Sequence, residues 1–152
     1  MRNVEENLLI AWRALQIGLG LAAFLAGLDK FFTLLTDWTM YLSPVAESFL
    51  PVSGATFMQL VGLIEMVVGV AILTAWTRLG AYVASVWLIL IAVNLLLAGT
   101  FFDIAVRDVE MALAAFTLAR LTEWREVVLA KEKGGIVKED TLHRDSRKLM
   151  ET

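Results

Sequence analysis

Gln59-Leu-Val-Gly62-Leu-Ile-Glu65-Met-Val-Val-Gly69-Val-Ala-Ile-Leu73 sets one carboxylate in the middle of a run from Ser53 to Thr77 that holds no other charge. A helix needs about 20 residues, at a rise of about 1.5 Å each, to cross the hydrocarbon of a bilayer, so this run is long enough to span. An ionised side chain near the centre of a span costs roughly 2.5–3.5 kcal/mol on insertion scales, so Glu65 must face the protein interior and have a partner there. Gly62 and Gly69 lie three residues before and four after it, on the same helical face. Without side chains on that face, a second backbone can come close to the carboxylate.

The rest of the chain has the same apolar character. Of its 152 residues 59% are hydrophobic and 19% charged, and its mean hydropathy is +0.71. An ordinary soluble domain is about 45–50% apolar, so the sequence reads as one integral membrane domain, residues 1–133, followed by a charged tail, residues 134–152. The net charge of -3 hides a segregation, because more than half of the Lys and Arg lie beyond Ala119. That region is almost as acidic as it is basic, which excludes a nucleic-acid interface. There is no Cys, and the one His is His143 in the tail. Thiolate metal sites, iron–sulfur clusters, Cys nucleophiles and a histidine-ligated haem within the membrane are thereby excluded, and no metal site or catalytic residue is assigned. The start, Met1-Arg-Asn-Val-Glu-Glu-Asn, carries both charges and no cleavage pattern, so the first apolar segment is expected to be retained.

Four spans are expected, at about 8–28, 54–76, 79–98 and 102–124, forming an all-α four-helix membrane bundle. In the first, Arg13, Gln16, Gly20, Ala23, Gly27 and Lys30 alternate three and four apart, which gathers the polar and small residues into one stripe and leaves Leu, Ile and Phe for lipid. Asp29 and Lys30 close it. Between Phe31 and Leu42 the apolar residues Phe31, Leu34, Leu35, Trp38, Tyr41 and Leu42 recur at helical spacing, which predicts a short helix at the membrane surface, ended by Ser43-Pro44. In the third span Asn94 carries an amide that hydrocarbon cannot satisfy and is expected to bond between helices. In the fourth, Asp103, Arg107 and Glu110 lie on one face, where the guanidinium can be flanked by two carboxylates of its own helix, the alternative being a pair across helices with Glu65. Gly134-Gly135 is expected to end that helix, and the tail beyond it, alone in solution, is expected to be disordered.

Four spans put both termini on one side. Arg2, Arg13, Arg78 and the basic residues from Arg120 onward share that side, so the positive-inside rule places both termini in the cytoplasm of a bacterial-type inner membrane. Lys30, Glu65, Asn94, Arg107, Asp108 and Glu110 then fall in the other half of the bundle, with Asp29, Gly62, Gly69 and Asp103 supporting them. Charge from independent spans at one depth, under an aromatic loop, is the pattern expected of a ligand site between helices.

These residues give the chain its likeness to a known family. Gly18-Leu-Gly-Leu and Ala26-Gly-Leu-Asp-Lys30-Phe in the first span, Gly62-Leu-Ile-Glu65-Met-Val-Val-Gly69 in the second and Thr77-Arg78 entering the third resemble the DoxX-like membrane proteins. The likeness covers roughly Arg13 to Arg120. It implies a four-helix bundle associated with membrane redox systems, among them a quinone-linked thiosulfate oxidoreductase and oxidative-stress assemblies, and weight on Glu65 and Lys30. It does not bring sulfur oxidation with it, because the chain has neither Cys nor a cofactor motif. The Asp103–Glu110 segment is also more charged than the family pattern. The expectation is therefore an accessory subunit of a larger membrane complex, redox or electron-transferring, with a lipid or quinone pocket near Glu65 and Arg107. Its rival is a small quinone-linked oxidoreductase or carrier, in which Glu65 and Glu110 exchange protons with a ligand held by Arg107, Asp108 and Asn94. A transporter is weaker, since four spans show no internal repeat or broken helix pair.

Overall fold

A computed structural model describes the backbone of residues 2–150 and the side chains of residues 4–131 and 134. Within them the chain is all-helical, with α1 (Arg2–Phe32), a 3-10 turn (Trp38–Tyr41), the short α2 (Pro44–Ser48), α3 (Gly54–Leu73), α4 (Thr77–Ala98) and α5 (Phe102–Met150). Three helical stretches, Val4–Phe32, Gly54–Leu73 and Thr77–Ala98, are long and apolar enough to cross a bilayer. That makes a membrane-embedded helical protein the class to which the chain belongs. The first turns of α5 hold too many charges to qualify on composition alone.

The four long helices pack as two antiparallel pairs, α1 with α3 and α4 with α5. The first pair is set by glycine. A Cβ at Gly62 would sit 2.5 Å from the carbonyl oxygen of Gly27, and one at Gly69 would sit 2.7 Å from that of Gly20. Each helix thus gives up its side chain where the other backbone crosses, and the register is fixed twice, seven residues apart on both helices. The second pair is set by alanine: Ala81, Ala84 and Ala92 of α4 and Ala105, Ala112, Ala115 and Ala119 of α5 are buried.

The pairs join most firmly at the end holding the α3–α4 connection, called here the lower end. Trp12, Ile72, Ala81, Ala84, Ala115, Leu118 and Ala119 form its core. Gln16 spans the joint, its Nε2 donating to the Ile72 carbonyl at 3.0 Å and to Thr77 Oγ1 at 2.8 Å. Trp12 Nε1 donates to Thr122 Oγ1 at 2.8 Å, and its ring lies under the guanidinium groups of Arg13 and Arg125. Of the small and polar stripe on α1, Gln16, Gly20, Gly27 and Lys30 are buried and Arg13 is exposed.

Three expectations need correction. Ser43-Pro44 starts a helix rather than ending one: Ser43 Oγ accepts from the Ala46 N–H, and Pro44 occupies the first turn of α2. Proline fits there because the N–H it lacks would have no helical partner. The aromatic segment is accordingly not one surface helix but an extended stretch, a 3-10 turn and α2. At the far end of the chain, Gly134-Gly135 lies inside α5 and does not terminate it. Two glycines cost a helix about 1 kcal/mol each against alanine, and the Lys, Glu, Leu and Arg around them are good helix formers. The expected disorder of the tail gives way to helix as far as Met150, and its side chains beyond Gly134 lie outside the described residues.

Candidate functional site

The upper end gathers the charges, and helix direction explains how. Side chains on an α-helix lean toward its N-terminus. Because α1 and α3 are antiparallel, Lys30 leans down from the top of α1 and Glu65 leans up from the middle of α3. Lys30 Nζ meets Glu65 Oε2 at 2.5 Å, with both side chains buried. The glycines make the slot for this pair: a Cβ on Gly62 would lie 2.9 Å from Lys30 Cβ, and one on Gly27 would lie 3.0 Å from Glu65 Cβ. The Lys30 ammonium also stands 3.7 Å from the centre of the Trp38 ring, a cation–π contact that covers it from above.

Trp38 is held there by Asp29. The buried Asp29 carboxylate accepts from Trp38 Nε1 at 2.8 Å and from the backbone N–H groups of Leu34 and Leu35 at 3.0 and 3.2 Å. Thr33 turns the chain at a φ of 51°, in the left-handed region that a β-branched residue rarely adopts. The Asp29 bonds on its far side hold that conformation. At the next turn Asp37 accepts from the hydroxyl and the N–H of Thr39, and these two bonds hold its carboxyl below the usual carboxylate range.

The expected site residues separate into three groups. Lys30 and Glu65 come together, with Gly62 beside them, Asp29 next in sequence to Lys30 and Gly69 one helical turn below Glu65 at the crossing with Gly20; Asp108 is buried on α5, where the charges of Glu65 and Lys30 act on it. No hydrogen bond to its carboxylate occurs among the described residues; its nearest charge partner is Arg107 Nε at 3.8 Å. Asn94 belongs to the loop: its Nδ2 donates to the Tyr41 carbonyl at 2.7 Å and its Oδ1 accepts from the Ser43 N–H at 3.1 Å. Asp103, Arg107 and Glu110 stay outside, all exposed. The Arg107 side chain is 63% accessible against 9% for its neighbour Asp108, because successive residues on a helix point about 100° apart. No ion pair joins Arg107 to Asp103 or Glu110 among the described residues, so the three-membered cluster expected within this helix is not formed.

Two features differ from what the charge pattern suggested, and only the second had a signal in the sequence. Trp38 covers Lys30 only because of the reversal at Thr33, which no residue pattern announces. The inward phase of α5, by contrast, was written in Ala105, Ala112, Ala115 and Ala119, which with Asp108 alternate three and four apart. Midway along α4, the half-buried Trp87 has a buried Nε1 with no hydrogen-bond partner among the described residues. An open depression of about 380 Å³ lies at the lower end, lined by Ala75, Trp76, Arg78, Leu79 and Tyr82, away from the charges. Among the described residues no group of His, Asp or Glu is arranged to hold a metal ion.

What fold and site define is thus a membrane-embedded helical bundle with a buried charge cluster at one end. No family model, curated protein or solved structure matches the chain.

Proposed function

We propose that this chain is an accessory subunit of a larger membrane assembly, of redox or electron-transferring character, rather than a free-standing enzyme. The observation that carries this reading is the internal pairing of the polar centre. Lys30 and Glu65 bind each other, Asp29 binds the loop and Asn94 binds the loop, an arrangement that pins helices and leaves few groups for chemistry. The redox character rests on the DoxX-like resemblance at Ala26–Phe31 and Gly62–Gly69. In this reading α5 supplies the fourth span over its first 23 residues, from Phe102 to Trp124. Both termini are cytoplasmic, the membrane is a bacterial-type inner membrane, and the Trp38–Ser48 segment lies at the outer surface.

The subunit also holds a lipid or a quinone. Trp87 supports this, since a buried N–H without an acceptor costs about 1–3 kcal/mol, and an ester or quinone carbonyl would satisfy it. Asp108 adds a carboxylate with no hydrogen-bond donor among the described residues. The rival enzyme that exchanges protons between Glu65 and Glu110 is less well supported, because Glu110 lies on the exposed face of α5 whereas Glu65 is buried and paired with Lys30.

The test is purification in gentle detergent from native membranes, with mass spectrometry of the co-purifying proteins and of extracted lipids and quinones. Larger subunits in fixed ratio are expected, and their loss is expected in Glu65→Gln. The Trp87→Phe chain should keep its partners and lose a lipid or quinone that the parent retains. A lone small protein that carries quinone, and in which Glu65→Gln folds but stops turnover, would replace the subunit by the enzyme.

A further inference from the structure

On α5 the face turned away from the bundle runs through Val106, Glu110, Leu113 and Thr117, at spacings of four and three, with Asp103 and Arg107 on its flank. Val106 is 60% and Leu113 62% accessible, and Asp103, Arg107 and Glu110 are exposed with them. Apart from the 3.8 Å approach of Arg107 Nε to Asp108, none of these three charges meets a partner among the described residues. Resting on the reading of α5 as the fourth span, this is an unfavourable face to show to lipid. Glu110 lies eight residues below Phe102, about 12 Å into the span at 1.5 Å per residue. Each ionised group there costs roughly 2.5–3.5 kcal/mol if hydrocarbon surrounds it, and less only if it finds a partner.

We infer that this face of α5 packs against the same face of a second copy of the chain, about a two-fold axis along the membrane normal. The order of charges chooses this occupant. All copies in a membrane point the same way, so two α5 helices meet in parallel with Arg107 at the same depth on both. Asp103 lies about 6 Å above Arg107 along the axis and Glu110 about 4.5 Å below it, within reach of a guanidinium on the other helix. An isologous interface needs a surface complementary to itself, in which one residue's partner reciprocates. A stripe in which a base is flanked by acids meets that condition: each Arg107 takes a carboxylate of the other copy, and two ion pairs form across the interface where a lone chain offers Arg107 only the 3.8 Å approach to Asp108. Val106 and Leu113 then pack between the charges.

The absence of Cys makes the test direct. Single substitutions Val106→Cys and Leu113→Cys on this face, and Val86→Cys on the exposed face of α4 as control, are treated in native membranes with a short bis-maleimide. A product of twice the chain mass is expected from the α5 positions and not from Val86→Cys. Arg107→Glu, added to Val106→Cys, should reduce that product at least tenfold, and Glu110→Arg on top of it should restore it. No product, a product equally strong at all three positions, or an adduct whose mass is not twice that of the chain would overturn the second copy as occupant. Release of the chain by alkaline carbonate would instead remove the membrane reading beneath the inference. Self-crosslinking without any other co-purifying subunit would uphold this interface and discard the accessory-subunit proposal.

Discussion

Lys30 and Glu65 illustrate what a buried ion pair does and does not contribute. Removing two charges from water costs several kcal/mol per ion, which their attraction barely offsets, so the pair adds little net stability over apolar residues of the same volume. Breaking it is another matter. Glu65→Gln leaves the Lys30 ammonium unpaired among α1, α3 and Trp38 and is expected to destabilise the bundle by about 3–5 kcal/mol. The double change Lys30→Met with Glu65→Leu should recover most of that loss, as read by thermal unfolding in detergent. Recovery of stability together with loss of subunit partners would separate the pair's role in assembly from its role in folding. The glycines give a sharper contrast of sign. A Cβ at Gly62 would collide with the Gly27 carbonyl and with Lys30, while one at Gly18 meets nothing within 4 Å. Gly62→Ala should therefore lose about 1–3 kcal/mol. Gly18→Ala should gain about 0.5–1 kcal/mol by stiffening an exposed helical position.

Among the elements, the segment between α1 and α3 depends on its anchors. It has no buried apolar core of its own: Leu34 and Phe49 are both 83% exposed. What holds it is polar, with Asp29 at its start, Asn94 at its middle and the Ser43 cap between. Asn94→Leu removes both bonds to the Tyr41 and Ser43 backbone and leaves Ser43, which is fully buried, without an acceptor for its N–H. The expected cost is about 1–3 kcal/mol, seen as faster proteolysis between Thr33 and Ser53 with α3 and α4 still protected. A loss confined to this segment would assign Asn94 to the loop; a loss of the whole fold would assign it to the helix packing. The loop is also where the sequence was least legible. An apolar pattern of period 3.6 from Phe31 to Leu42 is real, but the left-handed turn at Thr33 and the capping by Ser43 divide it. Periodicity cannot show backbone reversals that depend on a side chain binding N–H groups five and six residues ahead, as Asp29 does.

At the scale of the whole molecule, the helices and the inward stripe of α1 were legible because hydrocarbon leaves a chain few choices: backbone groups must bond within a helix, and isolated charges must find each other. That Glu65 faces inward and needs a partner followed from that rule; that the partner is Lys30 did not, since the sequence offered Arg107 as readily. The charges of α5 did not follow either, because charge alone does not tell which face of a helix is buried; the alanines did. The membrane reading carries its own check. Alkaline carbonate should leave the chain in the membrane, and tags at both termini should be degraded only when the cytoplasmic side is exposed to protease. A tag protected on one side and cut on the other would mean an odd number of spans.

The length of α5 has a mechanical consequence. Its 49 residues form one continuous helix, about 73 Å from end to end. On the proposed topology some 26 of those residues, beyond Trp124, stand clear of the bilayer as an arm of about 39 Å. Such an arm is a lever: a tilt of about 10° at the membrane swings its tip by about 7 Å, more than one helical turn. Gly134-Gly135, partway along it, is the compliant joint at which that stroke would be absorbed, and stiffening it with alanine would carry the full swing to whatever the tip touches.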